Sequence, residues 1–269
     1  MVVLHVKRGD EVLFCFETSV KEKTDLVLRD LVALYNGRLK IQRICMEIEE
    51  LAEHGTMVPP EMMGLNEDQR EELKLKDNFA EKCIPSGGFT INKDPLLRRN
   101  GQQPNEAMQK VLANAMTDAK AMVDRKLAKD SKVLTLKIVE EALNLLRGAV
   151  TIVYPMQLPP HDTIRMEFTN MEDLTGTQAS KEVIEPSKAQ FWFAGRQMLM
   201  GKLMSEYLGH NDKTKVVVKL NQLGEGPPGR EAVISDPLRK QMMAEAFRRQ
   251  EELKINATLS KAHLLKRLE

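Results

Sequence analysis

Two β-rich runs open the chain, VVLHV and VLFCFE, with Arg8-Gly9-Asp10 between them supplying turn chemistry, and together they predict a β-hairpin over residues 2–18. The period then lengthens. Leu28, Leu31, Val32 and Tyr35 recur at helical spacing behind Thr24, a capping residue type, so a helix is expected over 24–36. Asn36-Gly37 is read as its stop, since both residues tolerate the left-handed backbone of a C-cap. A second helix is expected over 38–54, with Ile41, Ile44, Ile48 and Leu51 on one face.

Residues 55–66 carry Pro59, Pro60 and Gly64 and read as a loop, followed by a short helix over 66–76 capped by Asn66. The stretch 83–105 is irregular and is the best candidate for an ordered surface loop or contact segment. The strongest stripe runs from Met108 through Leu112, Ala115 and Ala119 to Val123, predicting a helix over 105–128. Another helix is expected over 135–147, capped by Thr135 and ended by Gly148. The run AVTIVY at 149–154 fits strand or continued helix, and residues 162–169 fit a helix capped by Asp162 or a strand. AQFWFAGRQ reads as strand and tight turn, KVVVKL as a strand, and Ser235-Asp236-Pro237 as the start of a last helix through residue 254.

Composition narrows the function classes. The 269 residues are 42% hydrophobic and 29% charged, enough to bury a substantial core. The net charge of +1 gives no sign of a nucleic-acid or membrane-surface partner, and no apolar run approaches the length of a membrane span. Cys15, Cys45 and Cys83 stand far apart with no CxxC, and no secretory leader is recognisable, so a reducing compartment is expected. The 16 methionines fit either a plain helical core or an adaptable binding surface.

Few motifs point to chemistry. GEGPPG at 224–229 has the GxGxxG spacing, but Pro227 and Pro228 offer no N–H to a phosphate and the next helix is expected only near 236. His5, His54, His161, His210 and His263 never fall at metal-ligand spacing. Cys83 beside Lys82 is read as a small buried thiol. No nucleophile elbow, cofactor site, metal site or catalytic group is assigned. The basic pairs Arg98-Arg99 and Arg248-Arg249 are solvated faces by default or, in a second reading, contacts for acidic partner surfaces; without interleaved aromatics they do not suggest RNA binding.

The segment from Gln190 to Gln197, reading QFWFAGRQ, resembles the third strand and following turn of ubiquitin. Leu203–Tyr207 and Lys213–Lys219 continue the likeness into a short helical turn and a last strand. This implies an α+β fold with a ubiquitin-like β-grasp, the hairpin and helix coming from residues 1–36 and the remaining strands from 188–222. Residues 37–187 form a large, mainly helical insertion and 235–269 a C-terminal helix. Parallel pairing of first and last strands demands a long crossover, which favours this split; a local hairpin over 149–169 completing a second unit at 149–222 is the alternative. Trp192 falls where ubiquitin presents an outward apolar residue for recognition, and it reads at least equally as core covered by the insertion or the C-terminal helix. Trp192 and Phe193 are therefore candidate protein contacts, with Arg98, Arg99, Arg248 and Arg249.

End to end, the chain resembles the cilia- and flagella-associated protein 298, or Kurly, family. The resemblance is carried by LHVKRGDE (4–11), YNGRLK with QRIC (35–45), EELAEHG (49–55), EELKLKD (71–77), EKCIPSGG (81–88), RRNGQ and PNE (98–106), LRGAVTIVYPMQLPPHD (146–162), IRMEF (164–168) and RRQEELK (248–254). The closing INATLSKAHLLKRLE departs from the family pattern, which continues past EELK into an acidic stretch and a Trp-containing basic end. The resemblance implies a non-enzymatic protein of the cytoplasm and cilium, needed for dynein arms to be assembled or delivered. The implied partners are axonemal dynein subunits, or their assembly factors and chaperones. A structural axonemal component on microtubule proteins and a ubiquitin-pathway adaptor are the alternatives.

Overall fold

The computed structural model describes residues 1–229 and, beyond them, residues 240, 241, 243–245, 247 and 248. The chain divides into two units, Met1–Pro228 and Gly229–Glu269. In chain order the first unit contains β1 (Val2–Arg8), β2 (Glu11–Thr18), α1 (Thr24–His54), α2 (Glu67–Glu72), β3 (Phe89–Ile91) and β4 (Gln102–Pro104). It continues with α3 (Glu106–Met122), α4 (Lys126–Lys129), α5 (Leu136–Val153), α6 (Thr163–Phe168), α7 (Gln178–Glu182), β5 (Ala189–Phe193), β6 (Arg196–Gln197), α8 (Ser205–Leu208) and β7 (Lys215–Gln222).

The fold is α+β. Five strands form one mixed sheet in the order β2-β1-β7-β5-β6, while β3 and β4 pair separately. β1 runs parallel to β7, with Val3 opposite Lys215 and Val6 opposite Val218, so the parallel pairing that the split arrangement needs is present. Strict alternation places Val2, Leu4 and Val6 of β1 in the core. A bulge in β2 interrupts its alternation: Val6 pairs with Phe14 but Lys7 with Val12, and Leu13, Phe14 and Cys15 are consecutively buried. β5 and β6 are joined by Ala194 and Gly195, both at positive φ, as a two-residue turn between right-twisted strands requires.

The expected stop at Asn36-Gly37 is overturned. α1 runs unbroken through both residues for 31 residues, roughly 46 Å, so residues 24–36 and 37–54 are one element. Tertiary contacts explain why two helix-breaking types sit inside it. The Asn36 amide clamps Ile184, accepting from its N–H at 3.1 Å and donating to its carbonyl at 2.8 Å. Gly37 admits α5: a Cβ there would lie 2.7 Å from Val139 Cγ1. Gly37→Ala gains about 1 kcal/mol of helix propensity but meets a stiff β-branched neighbour. We expect a net loss of roughly 1–2 kcal/mol, read by denaturant titration. Val139→Ala in the same chain should relieve it, so that the double variant is more stable than the sum of the two single losses.

Helices α1, α3 and α5 pack together and share one continuous core with the sheet, from Val2 and Leu4 through Leu31, Ile44, Leu112 and Leu146 to Phe191 and Leu220. Gly148 does not end α5. The ambiguous run 149–154 is helix to Val153, because Ala149, Val150 and Val153 continue the buried stripe. Residues 163–168 are also helical, with Asp162 as cap, so the alternative local hairpin at 149–169 is overturned. Asn66, in a reciprocal capping box with Gln69, and Thr135 cap α2 and α5 as expected, and Asn105 caps α3. Thr24 does not cap α1; its hydroxyl donates instead to the carbonyl of Leu199, 2.8 Å away. Of the helix expected over 235–254, the described residues 240, 241, 243–245, 247 and 248 are helical and exposed, and the remainder, Arg249 included, lies outside the described residues.

Candidate interaction surfaces

The core face of the sheet carries Phe191, Val218 and Leu220, all fully buried. On its other face Trp192 stands opposite Lys219 and Gln197, half-buried, while Val217 is exposed. The Trp192 indole N–H is shielded from solvent with no hydrogen-bond partner. An N–H in that state carries a desolvation cost that no bond offsets. Phe193 packs partly against the core, on the opposite side from Trp192. Beyond β6, Leu199, Met200 and Leu203 are exposed on a loop strapped to the start of α1, where Thr24 N–H donates to Lys202 O at 2.9 Å and Gly201 N–H to Asp25 Oδ1 at 2.6 Å. The loop thus shows three apolar side chains from a backbone fixed to α1.

The segment 83–105 is an ordered surface loop, one of its two expected readings, and Phe89, Ile91 and Leu96 project from it, Ile91 being 79% exposed. Its two arginines have opposite fates. Arg98 is exposed, on the rim of a cleft of about 380 Å³ between α1 and residues 163–179, whose wall includes Met46, Met166 and Leu174. Arg99, expected at a protein contact, is instead 5% exposed. Its guanidinium donates to Gly55 O at 2.8 Å, to Glu47 O at 3.2 Å and to the Glu47 carboxylate at 2.6 Å. The correction has a plain cause. Asp94 accepts the backbone N–H groups of Leu96, Arg98 and Arg99, closing a turn that sends consecutive side chains to opposite sides. Burial raises the Asp94 carboxyl, but those three bonds outweigh it and hold it below the usual aspartate range.

Other charged groups that sequence reasoning missed sit around Arg99. Asp162 is wholly buried and accepts from the N–H groups of Met57 at 3.1 Å and Ile164 at 3.0 Å. Burial pushes its carboxyl up against the opposing pull of Arg99 and of those two bonds. His161 bonds Met57 O at 3.0 Å and stands edge-on to Phe79, 5.4 Å between centroids. Asn100 and Gly101 donate backbone N–H to Thr56 O and His54 O, and a Cβ on Gly55, at φ +75°, would lie 2.5 Å from Gln102 O. The 94–105 segment is thus stapled to the end of α1 and to the residues that follow it, which Asp162 at the start of α6 holds in turn through Met57. A second charged cluster fixes α6 to α1: Arg43 forks Glu167 at 2.6 and 3.0 Å, and Lys40 reaches Glu172 at 2.8 Å.

Nucleophilic chemistry finds little here. Cys15 Sγ lies 3.3 Å from His5 Nδ1, but burial pushes the thiol up and the imidazole down, so both are neutral. Cys45 is pushed up to about 11 by burial, and burial also raises Cys83. Among the described residues no three His, Cys, Asp or Glu side chains gather as a metal site, and no helix is long and apolar enough to cross a membrane.

A curated protein of Drosophila melanogaster named cilia- and flagella-associated protein 298 is 88% identical over 254 residues, spanning 94% of this chain and 87% of its own length. The chain belongs to the cilia- and flagella-associated protein 298 family. The family model of that description matches residues 189–266. Relatives of the same name in Mus musculus and Homo sapiens are 53% and 51% identical, each over 87% of this chain and 81% of its own length. No solved structure matches the chain. Three of the runs that carry the resemblance, EELAEHG, RRNGQ and the PPHD that closes the longest, meet at the Arg99–Asp162 cluster, so they build the frame behind the 83–105 surface.

Proposed function

We propose that the chain is a non-enzymatic adaptor or assembly factor of motile cilia, needed for axonemal dynein arms to be assembled or delivered. Membership of the cilia- and flagella-associated family carries this reading. It is supported by the half-buried Trp192 beside exposed Val217, by the strapped Leu199–Leu203 loop and by the apolar tip of the 83–105 segment, surfaces suited to grip other proteins. The adaptor works by holding these surfaces in fixed relation on one frame, and dynein chains with their chaperones are the proposed partners.

The test is affinity capture of the tagged chain from cytoplasmic extract of ciliated cells, beside Trp192→Ala. Dynein chains and chaperones should be captured and should fall severalfold with the substitution. Capture of tubulin and axonemal proteins alone would replace the reading with that of a structural axonemal component, and ubiquitin receptors or proteasome would replace it with a ubiquitin-pathway adaptor.

A further inference from the structure

The seam between the β1–β2 hairpin and α1 opens into a cleft of about 270 Å³ whose wall includes Arg8, Arg38 and Arg125 together with Glu11, Glu182, Leu13 and Tyr35. Three guanidinium groups thus border one small space. The β2 bulge contributes by turning Leu13 inward beside them.

Arg38 is the group that ordinary packing does not explain. It occupies a position of the buried α1 stripe, between Leu34 and Ile41, and is 4% exposed. Its Nε donates to Val123 O at 3.0 Å, and its guanidinium lies 5.8 Å from the Phe14 ring centroid. No carboxylate stands within ion-pair distance of it among the described residues. Arg8 and Arg125 differ: Arg8 pairs with Glu225 at 3.2 Å and Arg125 with Glu11. Arg8 also donates to the Tyr35 hydroxyl, which in turn donates to Glu182 O at 3.1 Å. A buried cation with no carboxylate in contact, only the more distant Asp124, is costly, and a leucine at this stripe position would avoid the cost. Burial, then the neighbouring Arg125 charge, bring Arg38 down to about 10 against the opposing pull of Asp124 and Tyr35, so it remains a cation at neutral pH.

An anion in the cleft removes that conflict. The cleft falls below the roughly 300–1,000 Å³ of pockets for organic ligands, so a compact occupant fits it better than a cofactor. Several guanidinium forks around one point suit a group with three acceptor oxygens and up to about two negative charges, whereas a planar carboxylate is satisfied by one fork. We propose that this cleft is an oxyanion site of the phosphate class, with Arg38 as the inner guanidinium and Arg8 and Arg125 closing from the rim. The phosphoryl group comes either from free phosphate or from a phosphorylated side chain of a partner.

Calorimetric titration of the whole chain with inorganic phosphate and with O-phosphoserine, at ionic strength fixed by sodium chloride, tests this. Saturable binding is expected, weakened at least about tenfold by Arg38→Met and by Arg125→Gln. Tighter binding of O-phosphoserine would assign the site to a phosphorylated partner, and tighter binding of phosphate to the free ion. Arg38→Met should keep the parent's circular-dichroism spectrum in chloride alone, so that its weaker binding would not reflect misfolding. The exposed rim residue Arg125 gives a second variant that spares the core. The proposal is overturned by no saturable heat with either anion, by undiminished binding in both variants, or by equal binding of sodium glutamate.

Discussion

Arg99→Met should lower stability by about 3–5 kcal/mol, the cost of removing one partner of a buried ion pair, while Arg98→Ala next to it should change stability by no more than about 0.5 kcal/mol. The contrast follows from what each side chain touches. Met fills much of the volume that Arg99 occupies, but the carbonyls of Gly55 and Glu47 lose their donor, the Glu47 carboxylate loses its cation, and Asp162 loses the nearby charge that opposes its burial. Arg98 surrenders only solvent-facing groups on the cleft rim. Against a total stability of about 5–15 kcal/mol the first loss is large. It corresponds to a fall in melting temperature of roughly 6–20 °C.

The same substitution should release the 94–105 segment locally. The amides of Asn100, Gly101 and Val58, which donate to Thr56, His54 and Arg98 carbonyls, should exchange with solvent faster than those of α3 and α5 when the variants are compared by hydrogen exchange. Arg99→Lys should recover little, because a single ammonium cannot span three acceptors placed for a planar fork. An Arg99→Met chain as stable as Arg98→Ala would mean the cluster around Asp162 holds nothing in place.

How far the sequence discloses this molecule depends on whether a feature is local. Caps at Asn66, Thr135 and Asp162 are legible because the signal and its effect lie within three residues. The parallel meeting of β1 with β7 is legible from the order of hairpin, helix and last strand, since parallel neighbours require a long crossover. Asn36-Gly37 fails for the opposite reason. Locally it is a stop; in the folded chain Asn36 holds Ile184 and Gly37 makes room for Val139, partners 148 residues and a whole helix away. That one misreading also hides Arg38. Once α1 is continuous, Arg38 falls in line with Leu34 and Ile41 on the buried stripe, and a cation there is conspicuous; with the helix cut at 36–37 it looks like a first-turn surface residue. Arg99 is hidden differently, because nothing in Arg98-Arg99 says which of two adjacent arginines the Asp94 turn will send inward. Likewise AVTIVY has strand-type residues, and only the buried stripe of α5 decides for helix.

Phe191→Ala and Trp192→Ala, one residue apart on β5, should separate core from contact surface. Phe191 is fully buried on the sheet face that packs against the helices, so its truncation leaves a cavity and should cost about 3–5 kcal/mol. Trp192 points the other way, stays partly in solvent and carries a buried N–H with no acceptor, so its loss removes both apolar contact and an unmet polar group. About 1 kcal/mol is the expected cost there, well inside what the fold tolerates. Chemical denaturation of the two variants checks both values. The comparison also decides how the capture experiment is to be read. A Trp192→Ala chain that is nearly as stable as the parent yet retains less dynein has lost a contact surface, because its frame is intact. Equal, large losses for both variants would instead make Trp192 a core residue covered within its own chain, and the proposed contact would have to move to the Leu199–Leu203 loop or to the apolar tip at Ile91.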